Sequence, residues 1–328
     1  MEGFGWALSA PPSQLAPALT LLAELVEQPA LADAALETER TVALAGLAQL
    51  RDDMSRQPSK LALAAAFGDH RYAYPTLGTT EGLERCDTAA LRAWHERRVR
   101  RGHCAVVIVA DAPPDEVAAA VRGAFRSLAQ SERRTAAPIA WPADAREAME
   151  TRDKAQSALA LLLPGPRRDD PRRYAAALLS TVASGLGGRF FETLRDRDSL
   201  AYSVHLASRT LQCAGWMLSY LACAPAKEDA ARAGLLREWA RLAAEPVTPE
   251  ELARAKAYSL GALAIRQQNA ASVLSDIADA WLFGTLAELE EEPRAIARLS
   301  AGDLHAVARD SFDPARAVWG IVRGRQDT

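Results

Sequence analysis

Residues 187–204, GGRFFETLRDRDSLAYSV, are the stretch on which the fold reading turns. The two glycines mark a break, and residues 190–195 read as a short helix that starts there. The glycine pair is not a phosphate loop, because it is too short and no Lys-Ser/Thr follows it. Residues 200–207 then read as a strand, with residues 213–222 as its neighbour. Upstream, residues 156–163 form a continuous apolar run of strand length, ended by Pro-Gly-Pro before a helix that begins near Pro171. Downstream, the 3.6-residue period predicts helices over 228–243, 248–265, 271–283, 294–299 and 301–311, and a last strand over 317–322. The acidic run Glu288, Glu290, Glu291 and Glu292 before Pro293 reads as a solvated turn.

The first half has the same ingredients. Residues 3–9 alternate small and apolar side chains and predict a strand ending at Pro11-Pro12. Helices follow over 13–28, 30–54 and 59–67, then an ordered loop over 68–85 rich in Gly, Pro, Thr and Tyr. Asp87 caps a helix running to about Val99. Residues 101–110, containing CAVVIVA, read as a strand, and 116–128 as a helix. Residues 129–147 lose apolar periodicity and carry two prolines, which places a linker there. The chain is thus expected to be α+β: two related α/β sandwich domains, each a mainly antiparallel sheet flanked by helices. The first occupies 1–130, the linker 131–152 and the second 153–328.

Composition narrows the function classes. The chain has 328 residues, 49% hydrophobic and 25% charged, with a net charge of −3. Such a balance is globular and gives no electrostatic reason for nucleic acid or an anionic membrane as a partner. No apolar run approaches the ~20 residues of a spanning helix, and no export signal opens the chain, so a cytoplasmic location is expected. Cys86, Cys104, Cys213 and Cys223 lack C-x-x-C spacing and read as small buried hydrophobes. No two of His70, His95, His103, His205 and His305 stand at zinc-ligand spacing. His70 reads as a loop-packing residue.

Several segments, taken together and in order, resemble the zinc metallopeptidase family that includes pitrilysin, insulysin and the mitochondrial processing peptidase. They are ETERTVAL at 37–44, FGDHRYAYP and LGT within 67–79, LRAWHERR at 91–98 followed by CAVVIVAD, and GGRFFETLRDRDSLAYSV itself. The family's inverted His-x-x-Glu-His zinc motif has no counterpart in this chain, and the position that the resemblance gives to the third ligand, seven residues after Glu39, is Gly46. Glu39 then reads either as a relic of an acid that steadied the metal or as a solvated helix residue. The resemblance therefore implies no metal or cofactor in this chain, with zinc carried by a partner chain.

The resemblance also gives a role to Arg195 and Tyr202. Taken alone they are a surface helix arginine and a strand aromatic. In the family's active members, an Arg and a Tyr at this seven-residue spacing bind the substrate backbone and the oxyanion of the tetrahedral intermediate, which suits a guanidinium and a phenol as donors. The implied function is a non-catalytic subunit that pairs with a zinc-bearing homologue as a heterodimer. It would supply Arg195, Tyr202 and a chamber wall for hydrolysis of unfolded peptides. Two other readings stand beside it: a scaffold or peptide-binding protein with no catalytic role, and a fragment of a longer zinc metalloendopeptidase. The resemblance also implies that the first domain is N-terminally truncated, and the sheet edge this leaves exposed predicts a chain that associates, with a partner or with itself.

Overall fold

A computed structural model describes residues 2–128, 131, 136–185, 187–284 and 286–325. The helices in chain order are α1 (Leu15–Glu27), α2 (Asp33–Asp52), α3 (Gln57–Phe67), α4 (Thr80–Arg85), α5 (Thr88–His95), α6 (Pro114–Ala124), α7 (Arg173–Ala183), α8 (Glu228–Ala244), α9 (Pro249–Arg266), α10 (Ala270–Phe283), α11 (Glu288–Arg298) and α12 (Ala301–Ser311). The strands are β1 (Arg146–Thr151), β2 (Ser157–Gly165), β3 (Ser203–Thr210), β4 (Gly215–Cys223) and β5 (Val318–Arg323). The chain divides into two compact units, each assembled from three segments. The first holds Met1–Leu47, Leu77–Thr135 and Gln267–Leu286, and the second Ala48–Thr76, Ala136–Arg266 and Ala287–Thr328. Each half of the sequence therefore gives one stretch to the other unit, a feature that local periodicity does not reveal. β1 lies inside the stretch read as a linker, and residues 129, 130 and 132–135 of that stretch lie outside the described residues.

The second unit is a five-stranded mixed sheet of order β1-β5-β2-β4-β3, with β1 and β5 parallel and the other pairs antiparallel. β2 is central, and its residues Ser157–Leu163 are all buried. It shows no polar alternation because both faces are covered. Leu159, Leu161 and Leu163 pack with α7, α8 and α12 through Leu178, Leu235, Trp239 and Leu304. Ala160 and Leu162 face α3 through Ala62, Ala66 and Phe67. A leucine at such a site contributes about 2–5 kcal/mol relative to alanine. The Trp239 indole keeps its donor satisfied in this core by bonding Ser219 Oγ at 2.8 Å.

The first unit is helical among the described residues. His95 Nε2 lies 2.7 Å from the Val26 carbonyl and ties α5 to α1. Arg40 on α2 reaches the carbonyls of Leu83 and Cys86. The two strands expected here, over 3–9 and 101–110, are not formed: neither stretch enters a ladder. Residues 3–9 alternate and 104–110 form an apolar run of strand length, but a strand exists only when a neighbour accepts its hydrogen bonds, and none of the described residues does so. Two further readings change. The acidic run over 288–292 is the first turn of α11 rather than a solvated turn, with Glu288 held by Arg168 at 2.7 Å and Arg173 at 3.0 Å. Cys104 is exposed and Cys86 half-buried, whereas Cys213 and Cys223 are buried. Burial pushes the Cys223 thiol up to about 12, so it stays protonated at neutral pH.

Candidate functional site

The segment 187–204 folds as a tight unit on the edge of the sheet. After α7, Gly188 passes so close to the preceding turn that a Cβ there would lie 2.2 Å from the Ser184 carbonyl oxygen. A wide helical turn over Phe191–Arg197 follows. Phe190 and Leu194 are fully buried in the core, which fixes this turn by its inner face. Such wide turns are rare within helices and recur at functional positions. Its outer face carries Arg195, exposed, with its guanidinium carbon 4.6 Å from the centre of the Phe191 ring.

The chain then reverses through Asp198 and Ser199. The Leu194 carbonyl accepts two backbone bonds, from Leu200 at 2.7 Å and Ala201 at 3.1 Å. Lys227 Nζ bonds the Ser199 carbonyl at 2.7 Å, and Arg197 and Arg237 both pair with Asp198. Tyr202 follows and donates its N–H to Ala222 O at 2.7 Å, entering β3 as a residue 60% exposed. The residue before Arg195 is thus bonded directly to the residue before Tyr202. The sequence pattern brings both side chains out to solvent on one short, cross-braced segment. Among the described residues neither the Arg195 guanidinium nor the Tyr202 hydroxyl has a hydrogen-bond or ion-pair partner, so both present free donors to an incoming carbonyl or oxyanion.

Ser199 makes the reversal with φ at +49°, in the left-handed region. For a residue with a Cβ that conformation costs about 1 kcal/mol. Ser199→Gly is therefore expected to raise stability by up to about 1 kcal/mol and Ser199→Val to lower it, read by thermal unfolding.

Beneath the segment lies a buried ion pair that the sequence reading missed. Arg189 is 6% exposed and holds both carboxylate oxygens of Glu251, at 2.6 and 2.7 Å, with the Pro246 carbonyl at 3.2 Å. Glu251 also caps α9: it accepts the Thr248 N–H at 2.7 Å, while Thr248 Oγ1 accepts the Glu251 N–H at 3.2 Å. The Thr-x-x-Glu spacing at 248–251 is the signal that was available for it. The Arg189 guanidinium holds the Glu251 carboxyl below the usual carboxylate range, against the opposing effect of burial.

The other singled-out residues take structural places. His70 Nδ1 accepts the Tyr72 N–H at 3.3 Å and its ring stands edge-on to Tyr72, a packing role. Glu39 is exposed on α2. Gly46 lies against Leu77, where a Cβ would be 3.0 Å from a leucine methyl. Among the described residues no three His, Cys, Asp or Glu side chains are grouped to hold a metal ion. With glycine at the third-ligand position, these residues do not fit a resident zinc. No helix among the described residues is long and apolar enough to cross a membrane.

A mixed sheet covered by helices, with a cross-braced Arg/Tyr segment on its edge, defines a peptidase-like fold, and comparison with known proteins agrees. Residues 85–258 match the family model described as peptidase M16 inactive domain, and the chain belongs to that family. It is 29% identical over 306 residues to an uncharacterized zinc protease of Mycobacterium bovis, spanning 90% of this chain and 69% of that protein. It is 23% identical over 260 residues to a non-peptidase homolog of Helicobacter pylori, covering 79% and 60% of the two chains. The crystal structure of a peptidase M16 inactive domain from Pseudomonas fluorescens shares the fold at a TM-score of 0.84 and 20% identity, over 94% of this chain and 75% of that one.

Proposed function

We propose that this chain is a non-catalytic subunit of a two-chain peptidase, in which a zinc-bearing M16 homologue carries out the chemistry. Arg195 and Tyr202 supply donors in trans. The guanidinium and the phenol bind the backbone of an extended, unfolded peptide and the oxyanion that develops on its scissile carbonyl, and the sheet of the second unit forms one chamber wall. The observation that carries this reading is the pair itself: two exposed donors, unpartnered among the described residues, on a segment braced by the Leu194 carbonyl.

The test is peptide hydrolysis by this chain co-expressed with a zinc-bearing M16 homologue from the same genome. Arg195→Ala and Tyr202→Phe are each expected to lower kcat by about 100-fold, the usual effect of removing one oxyanion donor. Unchanged hydrolysis by a complex that still forms would refute the proposal. The similarity to a non-peptidase homolog of Helicobacter pylori favours, as a second reading, a peptide-binding or scaffold role. That reading predicts peptide capture by the isolated chain, with no homologue present and no hydrolysis gained when one is added.

A further inference from the structure

The sheet of the second unit has two edge strands, β1 and β3, and the chain treats them differently. Along a strand, alternate residues turn their N–H and C=O groups to the same side. At the middle of β3 the outward groups are those of Leu206, and one hydroxyl takes both. The Leu206 N–H bonds Ser184 Oγ at 2.7 Å, and Ser184 Oγ donates to the Leu206 carbonyl at 2.8 Å. Ser184 follows directly on α7, so the end of that helix occupies the place where another strand would pair. Covering an edge in this way closes it to association.

β1 has no such cover among the described residues. Arg146 donates its N–H to Ala317, next to β5, and Arg152 donates to Arg323, which assigns the even-numbered residues to the β5 side of this parallel pair. Glu147, Met149 and Thr151 therefore turn their backbone groups away from the sheet, and no described residue bonds them. Met149, in the middle, is 46% exposed. The strand pairs with β5 without a bulge and contains no proline, so it lacks the usual guards of a free edge. The even-numbered side chains lie on the face that α3 covers: Arg146 bonds the Ala65 carbonyl at 2.9 Å, and Gln57 Nε2 donates to Glu150 Oε1 at 3.0 Å. Arg146 and Glu150 are thus opposite charges on one face of the open edge, with Ala148 midway between them.

We infer that β1 pairs with β1 of a second copy of this chain, antiparallel about a two-fold axis at Ala148, which joins the two five-stranded sheets edge to edge. Backbone and charge together decide the register. Only outward-facing groups can exchange hydrogen bonds, so odd-numbered residues must stand opposite odd-numbered ones. With Ala148 opposite Ala148, Glu147 of each copy exchanges bonds with Met149 of the other. Arg146 then stands opposite Glu150 twice, at the non-hydrogen-bonded positions where side chains approach most closely. The neighbouring allowed registers set like charges together. Centred on Met149, Arg146 stands opposite Arg152; centred on Glu147, Glu150 stands opposite Asp144. The pairing is only a short strand long, below the area of a permanent dimer, so it is expected to be reversible in the micromolar range. It uses the edge opposite to β3, leaves Arg195 and Tyr202 free and does not depend on their proposed role.

The test is sedimentation equilibrium of the full chain, joined to amide exchange. Expected is a monomer–dimer equilibrium at micromolar concentration, with exchange at Glu147, Met149 and Thr151 slowing as concentration rises. Met149→Pro removes an N–H that β5 does not use and is expected to raise the dimer Kd by about tenfold or more. Arg146→Glu and Glu150→Arg are each expected to do the same, because each sets like charges opposite one another. An equimolar mixture of these two variants restores both ion pairs and is expected to dimerise, which also shows that both are folded. Any one of four results overturns the inference. The parent stays monomeric throughout the micromolar range; or its dimer is indifferent to Met149→Pro and to both charge variants; or the mixture stays monomeric although both variants keep the parent's circular dichroism; or the three amides slow only after a zinc-bearing homologue is added, which would give the edge to that chain.

Discussion

Gly320→Ala is expected to lower the stability of the second unit by about 3 kcal/mol, the upper part of the range for overpacking a core. Gly320 lies in mid-strand on β5, beneath α3. A Cβ there would be 1.9 Å from the Pro58 carbonyl oxygen and 2.5 Å from the Ala62 amide nitrogen, and both are backbone atoms that no rotamer change can move. α3 must lift off the sheet, and the contacts of Ala62, Ala66 and Phe67 with Ala160, Leu162 and Val318 loosen with it. The same helix end places the Phe67 ring 5.3 Å from Trp216 and 5.9 Å from Trp141, so the loss spreads through an aromatic cluster. For a unit of this size the change corresponds to a drop in Tm of about 6–12 °C, measurable by calorimetry. A drop below about 2 °C would mean that α3 is not seated on β5 as described.

Glu251→Gln is expected to cost about 3–5 kcal/mol, because it leaves the Arg189 charge buried without a counter-charge. The pair has to be judged by its removal. A double variant, Arg189→Met with Glu251→Met, takes away both charges and is expected to recover most of the loss, so the single variant measures the orphaned guanidinium rather than the strength of a bond. Urea unfolding of the three variants separates these terms. The pair also fixes a pH dependence. The Glu251 carboxyl is held low first by its hydrogen bonds from Arg189, with the Thr248 N–H adding to them and burial opposing. Its folded pKa therefore lies below the unfolded value of about 4.3, and its stabilisation is fully present above that value and disappears as pH falls through the folded one. The double variant is expected to lose stability less steeply than the parent between about pH 4.5 and 2.5. Parallel pH profiles would show that Glu251 contributes nothing there.

Much of the second unit was legible before any coordinates. β2 shows a strand-length apolar run closed by Pro-Gly-Pro, α8 and α9 show helical periodicity, and Gly187-Gly188 marks a real break because Gly188 passes against Ser184. The local pattern was misleading where pairing decides the outcome. Residues 3–9 alternate and 104–110 form a strand-length apolar run, yet a strand needs a neighbour to take its hydrogen bonds, and the pattern of one segment cannot supply the other. The acidic run at 288–292 read as a turn because Pro293 follows it. In α11 that proline occupies the helix without breaking it, and Arg168 and Arg173 supply the charges that hold the first turn.

At the candidate site, the chemistry could be named from the sequence but not its state. Arg195 and Tyr202 were recognisable as a spaced pair, since residue type and interval survive in one dimension. That both donors stand free at the surface, that Leu194 bonds the backbone behind each of them, and that Arg189 and Glu251 support the segment from 62 positions apart required the folded chain. What the sequence by itself determined is what depends on a residue and its near neighbours: the periodic helices, the caps, and the glycine at position 46 that cannot ligate. The tertiary structure alone decided which strands find partners, because burial and hydrogen bonding are pairwise, and the partner of each group is chosen by the packing of distant segments.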